Sequence, residues 1–121
     1  MRKILIIDDD ARNIFALKVT LQKKGFICLD AAYAEEGIGI LDSEKDIAAV
    51  MLDMMMPDID GYELIGLIRK KERYKKLPII AVTARAMPGD REKCLQSGAD
   101  EYISKPIDVD HMFTILDQFT R

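Results

Sequence analysis

A parallel α/β sheet wrapped by helices on both faces is the fold class this sequence predicts. Two observations carry it. Five short apolar runs recur along the chain, and an amphipathic stretch of helical period follows each of them. The first, third and fourth runs are apolar without alternation, as strands covered on both faces are.

The elements follow in order. Ile4–Ile7 is the first strand, and a helix near 11–24 follows it, with Gly25 placed as a C-terminal cap. Ile27–Ala32 is the second strand and leads to a helix near 35–43. Ala48–Leu52 is the third; its helix, near 60–73, has Asp60 at its start. Ile79–Val82 is the fourth, after which Pro88 opens a helix near 89–97 that Gly98 closes. A weaker run at Tyr102-Ile103 supplies the fifth, and Pro106-Ile107-Asp108 leads into a last helix near 108–119. No repeat, linker or low-complexity tract interrupts the alternation. The 121 residues suit one domain spanning 1–121.

Composition narrows the function classes. Hydrophobic residues at 49% and charged residues at 32% exclude disordered and collagen-like chains. A net charge of −3 lacks the basic footprint of a nucleic-acid binder, so no nucleic-acid partner is expected. The one basic run, Arg69, Lys70, Lys71, Arg73, Lys75 and Lys76, lies at the end of the third predicted helix. Cations there offset the helix dipole and stay solvated. Nothing before Cys28 resembles a secretory signal, and no run approaches the length of a membrane span. With Cys28 and Cys94 the only cysteines, a reduced, soluble, cytoplasmic protein is the expectation, away from any membrane.

In sheets of this class the ligand site lies at the carboxyl ends of the strands, so the residues ending the strands matter most. The first strand ends in Asp8, Asp9 and Asp10, the third in Asp53 and the fourth in Thr83, while Lys105-Pro106 follows the fifth. Each has a plain structural alternative: the aspartates can cap a helix, Asp53 can serve a turn, Thr83 suits a strand, and Lys105 suits a surface. Their arrival at one edge of one sheet favours chemistry. Clustered carboxylates repel unless a divalent cation sits among them, and hard oxygen donors suit Mg²⁺. Asp53 is then placed as a nucleophile towards phosphorus. A phosphoryl group in transfer carries charge on three oxygens, for which Mg²⁺, the Lys105 ammonium and the Thr83 hydroxyl are the three partners.

The segments IIDDDARNIF, MLDMMMPDIDGYEL, PIIAVTA and GADEYISKPI stand in order, and the spacings between Asp9, Asp53, Thr83 and Lys105 match as well. In these the sequence resembles the receiver (response-regulator) domain family over essentially its whole length. The resemblance implies a doubly wound, flavodoxin-like sheet of five parallel strands in order 2-1-3-4-5 with five helices; that order comes from the family and not from the pattern. It implies that Asp53 is the phospho-acceptor, Asp9 a direct Mg²⁺ ligand, Asp8 its partner through water, and the Met55 main-chain carbonyl a further ligand. Thr83 matches the switch hydroxyl, Tyr102 the switch aromatic, Lys105 the phosphate-binding lysine, and Lys105-Pro106 the family's cis peptide.

The function so implied is a phosphorylation-dependent signalling switch. It takes its phosphoryl group from a phosphohistidine of a sensor histidine kinase or histidine phosphotransfer domain. It catalyses only its own phosphorylation and dephosphorylation, and signals by conformational change to a downstream protein left open. It is stand-alone or the receiver of a hybrid histidine kinase, towards which Arg12-Asn13 gives a hint. Two alternatives differ in class. A small aspartyl-phosphate phosphohydrolase usually shows a second acid two residues after the nucleophile, where this chain has Met55. A binding module that has lost the chemistry would not need the complete set of acids, Thr83 and Lys105.

Other residues carry smaller expectations. His111, the single histidine, reads as solvated or packed, and one His with two distant Cys makes no zinc pattern. Gly37-Ile38-Gly39 lacks the dinucleotide fingerprint, and Met54-Met55-Met56 reads as packing at the edge of the site. Met55 and Arg85 should border the water path to the acceptor and favour a long-lived phosphorylated state. On the first helix Ile14, Leu17 and Leu21 share one side while Phe15 and Val19 lie away from it. Phe15 is therefore expected to be exposed, near the acceptor edge, and to meet a partner's helix.

Overall fold

Alternation along the strands decides which helix packs where. The protein, seen in a computed structural model that describes residues 2–84 and 87–120, has strands β1 Lys3–Ile7, β2 Ile27–Ala31, β3 Ile47–Asp53, β4 Ile79–Thr83 and β5 Glu101–Ser104. Its helices are α1 Ala11–Lys23, α2 Ala34–Ser43, α3 Gly61–Lys70, α4 Asp90–Ser97 and α5 Val109–Phe119. The strands are parallel, in order β2-β1-β3-β4-β5. Successive side chains of a strand point to opposite faces. Leu5, Ile7, Val50, Leu52, Ile79 and Ala81 therefore pack with Leu41 of α2, Leu64, Ile65 and Ile68 of α3, and Cys94 of α4. Ile4, Ile6, Ala49, Met51, Ile80 and Val82 pack with Leu21 of α1 and with Met112, Ile115 and Leu116 of α5. Both faces are thus covered, which is why β1, β3 and β4 read as unbroken apolar runs. Each fully buried Leu or Ile contributes about 1.5–3 kcal/mol.

Capping residues set the ends. Asp10, Asp60 and Asp108 accept the main-chain N–H of Arg12, Tyr62 and His111 at 2.9, 2.8 and 3.2 Å. After α1, Gly25 takes φ +89°, and after α4, Gly98 takes φ +118°, conformations that side chains disfavour. Two boundaries differ from expectation. The third helix ends at Lys70, not 73, and a 3₁₀ turn, Glu72–Tyr74, follows it. Pro88 does not open the fourth helix: Gly89, at φ +88°, precedes its first residue, Asp90.

Arg69 accounts for the early stop. Far from being solvated, its guanidinium donates to the carbonyls of Tyr74 at 2.7 Å, Leu77 at 2.6 Å and Gly98 at 2.7 Å, and to the Asp100 carboxylate at 2.9 Å. The chain after α3 folds back to meet it. Beside it, Asp42 at the end of α2 accepts from Lys71 at 2.7 Å, from the Tyr74 hydroxyl at 2.8 Å and from Arg73. Among the described residues no helix is long and apolar enough to cross a membrane.

Candidate functional site

The β-ladder continues one residue beyond the strands and so fixes the backbone of the site. The Asp8 N–H donates to Ala31 at 3.0 Å, that of Met54 to Val82 at 2.9 Å, and that of Lys105 to Thr83 at 2.7 Å. Asp8, Asp53, Thr83 and Lys105 consequently stand at one edge, at the carboxyl ends of β1, β3, β4 and β5, where the strand order reverses between β1 and β3. The Lys105–Pro106 peptide is cis.

Burial separates the acids. Asp8 is 3% exposed and Asp53 7%, whereas Asp9 faces solvent. A carboxylate oxygen from each of the three lies within 4.8 Å of the others. One oxygen of each buried acid is committed: Asp8 Oδ1 accepts the Asp10 N–H at 2.8 Å, and Asp53 Oδ1 accepts the Met55 N–H at 3.0 Å. The other oxygens share one cation, Lys105 Nζ, at 3.4 Å from Asp8 Oδ2 and 3.9 Å from Asp53 Oδ2. Burial pushes the Asp53 carboxyl above its ordinary range; the Met55 N–H and Lys105 oppose that rise, and the Asp8 charge adds to it. Among the described residues, these three carboxylates face the one ammonium of Lys105, which leaves negative charge uncompensated. The donors present, all hard oxygens, fit Mg²⁺ and not a soft metal.

Thr83 is buried at 4% exposure. Tyr102, two positions along β5 from Ile103's neighbour Ser104, is half-buried, and its hydroxyl has no hydrogen-bond partner among the described residues. Burial raises the Tyr102 hydroxyl pKa. Met54 and Met56 are buried, while Met55 is 46% exposed at the rim of a cavity of about 360 Å³ that Thr83, Tyr62, Met87 and Lys93 also line. Arg85, the other residue expected there, lies outside the described residues. His111 is exposed. Phe15 is 71% exposed on α1, as its position off the apolar stripe requires.

Three contributors escaped sequence reasoning because they act across the chain. Asp58 accepts the main-chain N–H of Ala34 at 3.0 Å, Asp42 gathers the cations after α3, and Lys93 stands over the Tyr62 ring at 4.3 Å. Asp58 alone left a trace in the sequence, as an acid in the loop after Asp53.

A five-stranded doubly wound sheet with buried acids and a lysine at its carboxyl edge is a recognisable class, and the comparisons with known proteins agree on which. The family model for the response regulator receiver domain matches residues 4–117. The chain belongs to that family, and is a receiver domain of two-component signalling. An uncharacterized 14.6 kDa protein of Leptolyngbya boryana is 36% identical over 96% of this chain and 88% of its own. The response regulator Rre1 of Synechocystis is 35% identical over 93% of this chain; the chain spans 49% of that relative's length. Among solved structures, the receiver domain of a sensor histidine kinase from Pseudomonas aeruginosa superimposes with a TM-score of 0.88 at 30% identity, covering 98% of this chain and 97% of that one. That structure holds a magnesium ion coordinated in its active-site cleft. Nothing favours the phosphohydrolase alternative, and the position two residues after Asp53 carries a thioether with no titratable group.

Proposed function

We propose that this domain accepts a phosphoryl group on Asp53 from a phosphohistidine of a histidine kinase or phosphotransfer protein. The observation that carries the reading is the state of Asp53 itself: it is buried, one oxygen is fixed by the Met55 N–H, and the other faces Lys105. In the transfer a new bond forms between an Asp53 oxygen and phosphorus as the donor's N–P bond breaks, and the bonding pair stays on the imidazole nitrogen. Lys105 is in reach of the charge that develops on the phosphoryl oxygens, and Thr83 borders the same space. Asp9, Asp53 and the Met55 carbonyl would hold Mg²⁺, with Asp8 beside them; when bound, the ion supplies positive charge against a phosphoryl oxygen.

The signal then passes through Thr83 and Tyr102. A phosphoryl group on Asp53 adds charge and acceptor oxygens beside Thr83, whose hydroxyl moves towards it and vacates room for the Tyr102 ring. The domain acts catalytically only on itself. Among the described residues Cys28 and Cys94 are free and buried, which supports a reducing, cytoplasmic setting.

The test is labelling with acetyl phosphate and Mg²⁺, read by intact mass. Wild type should gain one phosphoryl group and Asp53→Asn none, and chelation of Mg²⁺ or Asp9→Ala should stop the reaction. Equal labelling of Asp53→Asn would overturn the assignment.

A further inference from the structure

The loop between β3 and α3 is closed at its neck and tied at its tip. At the neck the Gly61 N–H donates to the Met54 carbonyl at 3.3 Å, and Met55 pairs with Asp60 as an antiparallel bridge. The approach is so close that a Cβ on Gly61 would stand 2.6 Å from Met54 Cα. At the tip the Asp58 carboxylate accepts the N–H of Ala34, the first residue of α2. Helix α2 makes no side-chain cap of its own, because Tyr33 precedes it. Glu36 reaches back to the Ala32 N–H at 2.8 Å, and Asp58 serves the Ala34 N–H two residues on.

The same first turn of α2 rests on the end of β1. A Cβ on Gly37 would meet Ile7 Cδ1 at 2.6 Å, so the helix lies directly against the residue before Asp8. Helix α2 therefore spans the two segments that carry the acids, Asp8-Asp9 on one and Asp53 with Met55 on the other.

We propose that Asp58 is a positioning residue for the metal site: through α2 it holds the loop bearing Met55 at a set distance from Asp8 and Asp9. The inference rests on the reading that Asp9, Asp53 and the Met55 carbonyl bind Mg²⁺. Asp58 is itself exposed and acts by the bond it accepts, not by its charge. An asparagine keeps an acceptor oxygen for the Ala34 N–H and an alanine does not. Residues that orient ligands from behind typically change metal affinity by about tenfold or more when removed.

The experiment is a Mg²⁺ titration of the full chain, followed by NMR at fixed ionic strength, for wild type, Asp58→Ala and Asp58→Asn. Hydrogen exchange of the Ala34 amide is measured on the same samples. Asp58→Ala should raise the Mg²⁺ Kd about tenfold and speed exchange at Ala34, and Asp58→Asn should restore both. Asp58→Gly, which also lacks the acceptor, should repeat the alanine result and guards against a defect peculiar to one variant. Unchanged Kd in Asp58→Ala, or equal weakening in the alanine and asparagine variants, would overturn the positioning role while the metal reading stands. A wild-type chain that binds no Mg²⁺ would overturn both.

Discussion

Lys105 Nζ lies 3.9 Å from Asp53 Oδ2, near enough to act on its charge and too far for a hydrogen bond. The shorter contact of the ammonium, 3.4 Å, is to Asp8. Lys105 therefore acts on Asp53 Oδ2 through its charge and spends its closer contact on Asp8.

That placement separates the roles of the lysine and the metal ligands. Lys105→Met should slow labelling by acetyl phosphate by about a hundredfold, the scale for removing a donor aimed at developing charge. It should not weaken Mg²⁺ binding, because it removes a positive charge from beside the acids. Labelling rate and Mg²⁺ titration on the same variant check both halves. A weaker metal affinity would mean that Lys105 shapes the acid cluster instead of serving the phosphoryl group.

Asp42 governs a part of the stability that depends on pH. Lys71 above all, then the Tyr74 hydroxyl and Arg73, hold its carboxyl at about 2 against an ordinary 3.8. A depressed carboxylate stabilises the folded state above its unfolded value, and that contribution disappears as pH falls towards 2. The group is over a third exposed, so solvent screening reduces the effect to about 0.5–1 kcal/mol. Asp42→Asn should lower stability by that amount at pH 7 in urea unfolding, and the deficit should shrink steadily below pH 4. A deficit that persists undiminished at the lowest pH where the chain folds would point to lost hydrogen bonds instead.

How much of this was legible follows from where each interaction lies in the chain. β1, β3 and β4 announce themselves because both of their faces are covered, and the strand ends then locate Asp8, Asp53, Thr83 and Lys105 without further information. β5 was weak in the sequence because only Ile103 of its four residues is fully buried. The end of α3 is hidden because Arg69 looks like any other cation in a basic run; only the folded chain brings Tyr74, Leu77 and Gly98 to it. The role of Asp58 is hidden for the same reason, since its partner Ala34 lies 24 residues away. Local periodicity and capping carry the first kind of information, and long-range pairing carries the second.

Phe15 offers a test of how the donor docks. Its ring is 71% exposed on α1, next to Val19, which is also exposed. Both line a groove of about 480 Å³ along α1 with Ile14, Lys18 and Asp30 of β2. An exposed aromatic lining such a groove is the composition of a binding hot spot, for which truncation costs 2 kcal/mol or more, roughly thirtyfold. Phe15→Ala should slow transfer from a cognate phosphotransfer partner by about that factor and leave acetyl-phosphate labelling and melting temperature nearly unchanged. Unaltered transfer would move the docking face elsewhere.

The lifetime of the phosphorylated form turns on Met55. Hydrolysis needs a water placed in line with the new oxygen–phosphorus bond, and side chains that can accept a hydrogen bond orient such a water. Met55 stands at the rim of the cavity that Thr83 also lines, half in solvent, and its thioether is a weak acceptor that covers the site with apolar surface. Its backbone is held by the bond to Asp53 and by the bridge to Asp60, so substitution changes the side chain without releasing the loop. Met55→Asn places a carbonyl oxygen and an amide at the same rim. The phosphorylated variant should lose phosphate roughly threefold to tenfold faster than wild type in excess Mg²⁺, while its rate of labelling changes little. Decay followed by intact mass after removal of acetyl phosphate gives the comparison directly. An equal or slower decay would show that backbone geometry, and not the residue at 55, sets the lifetime.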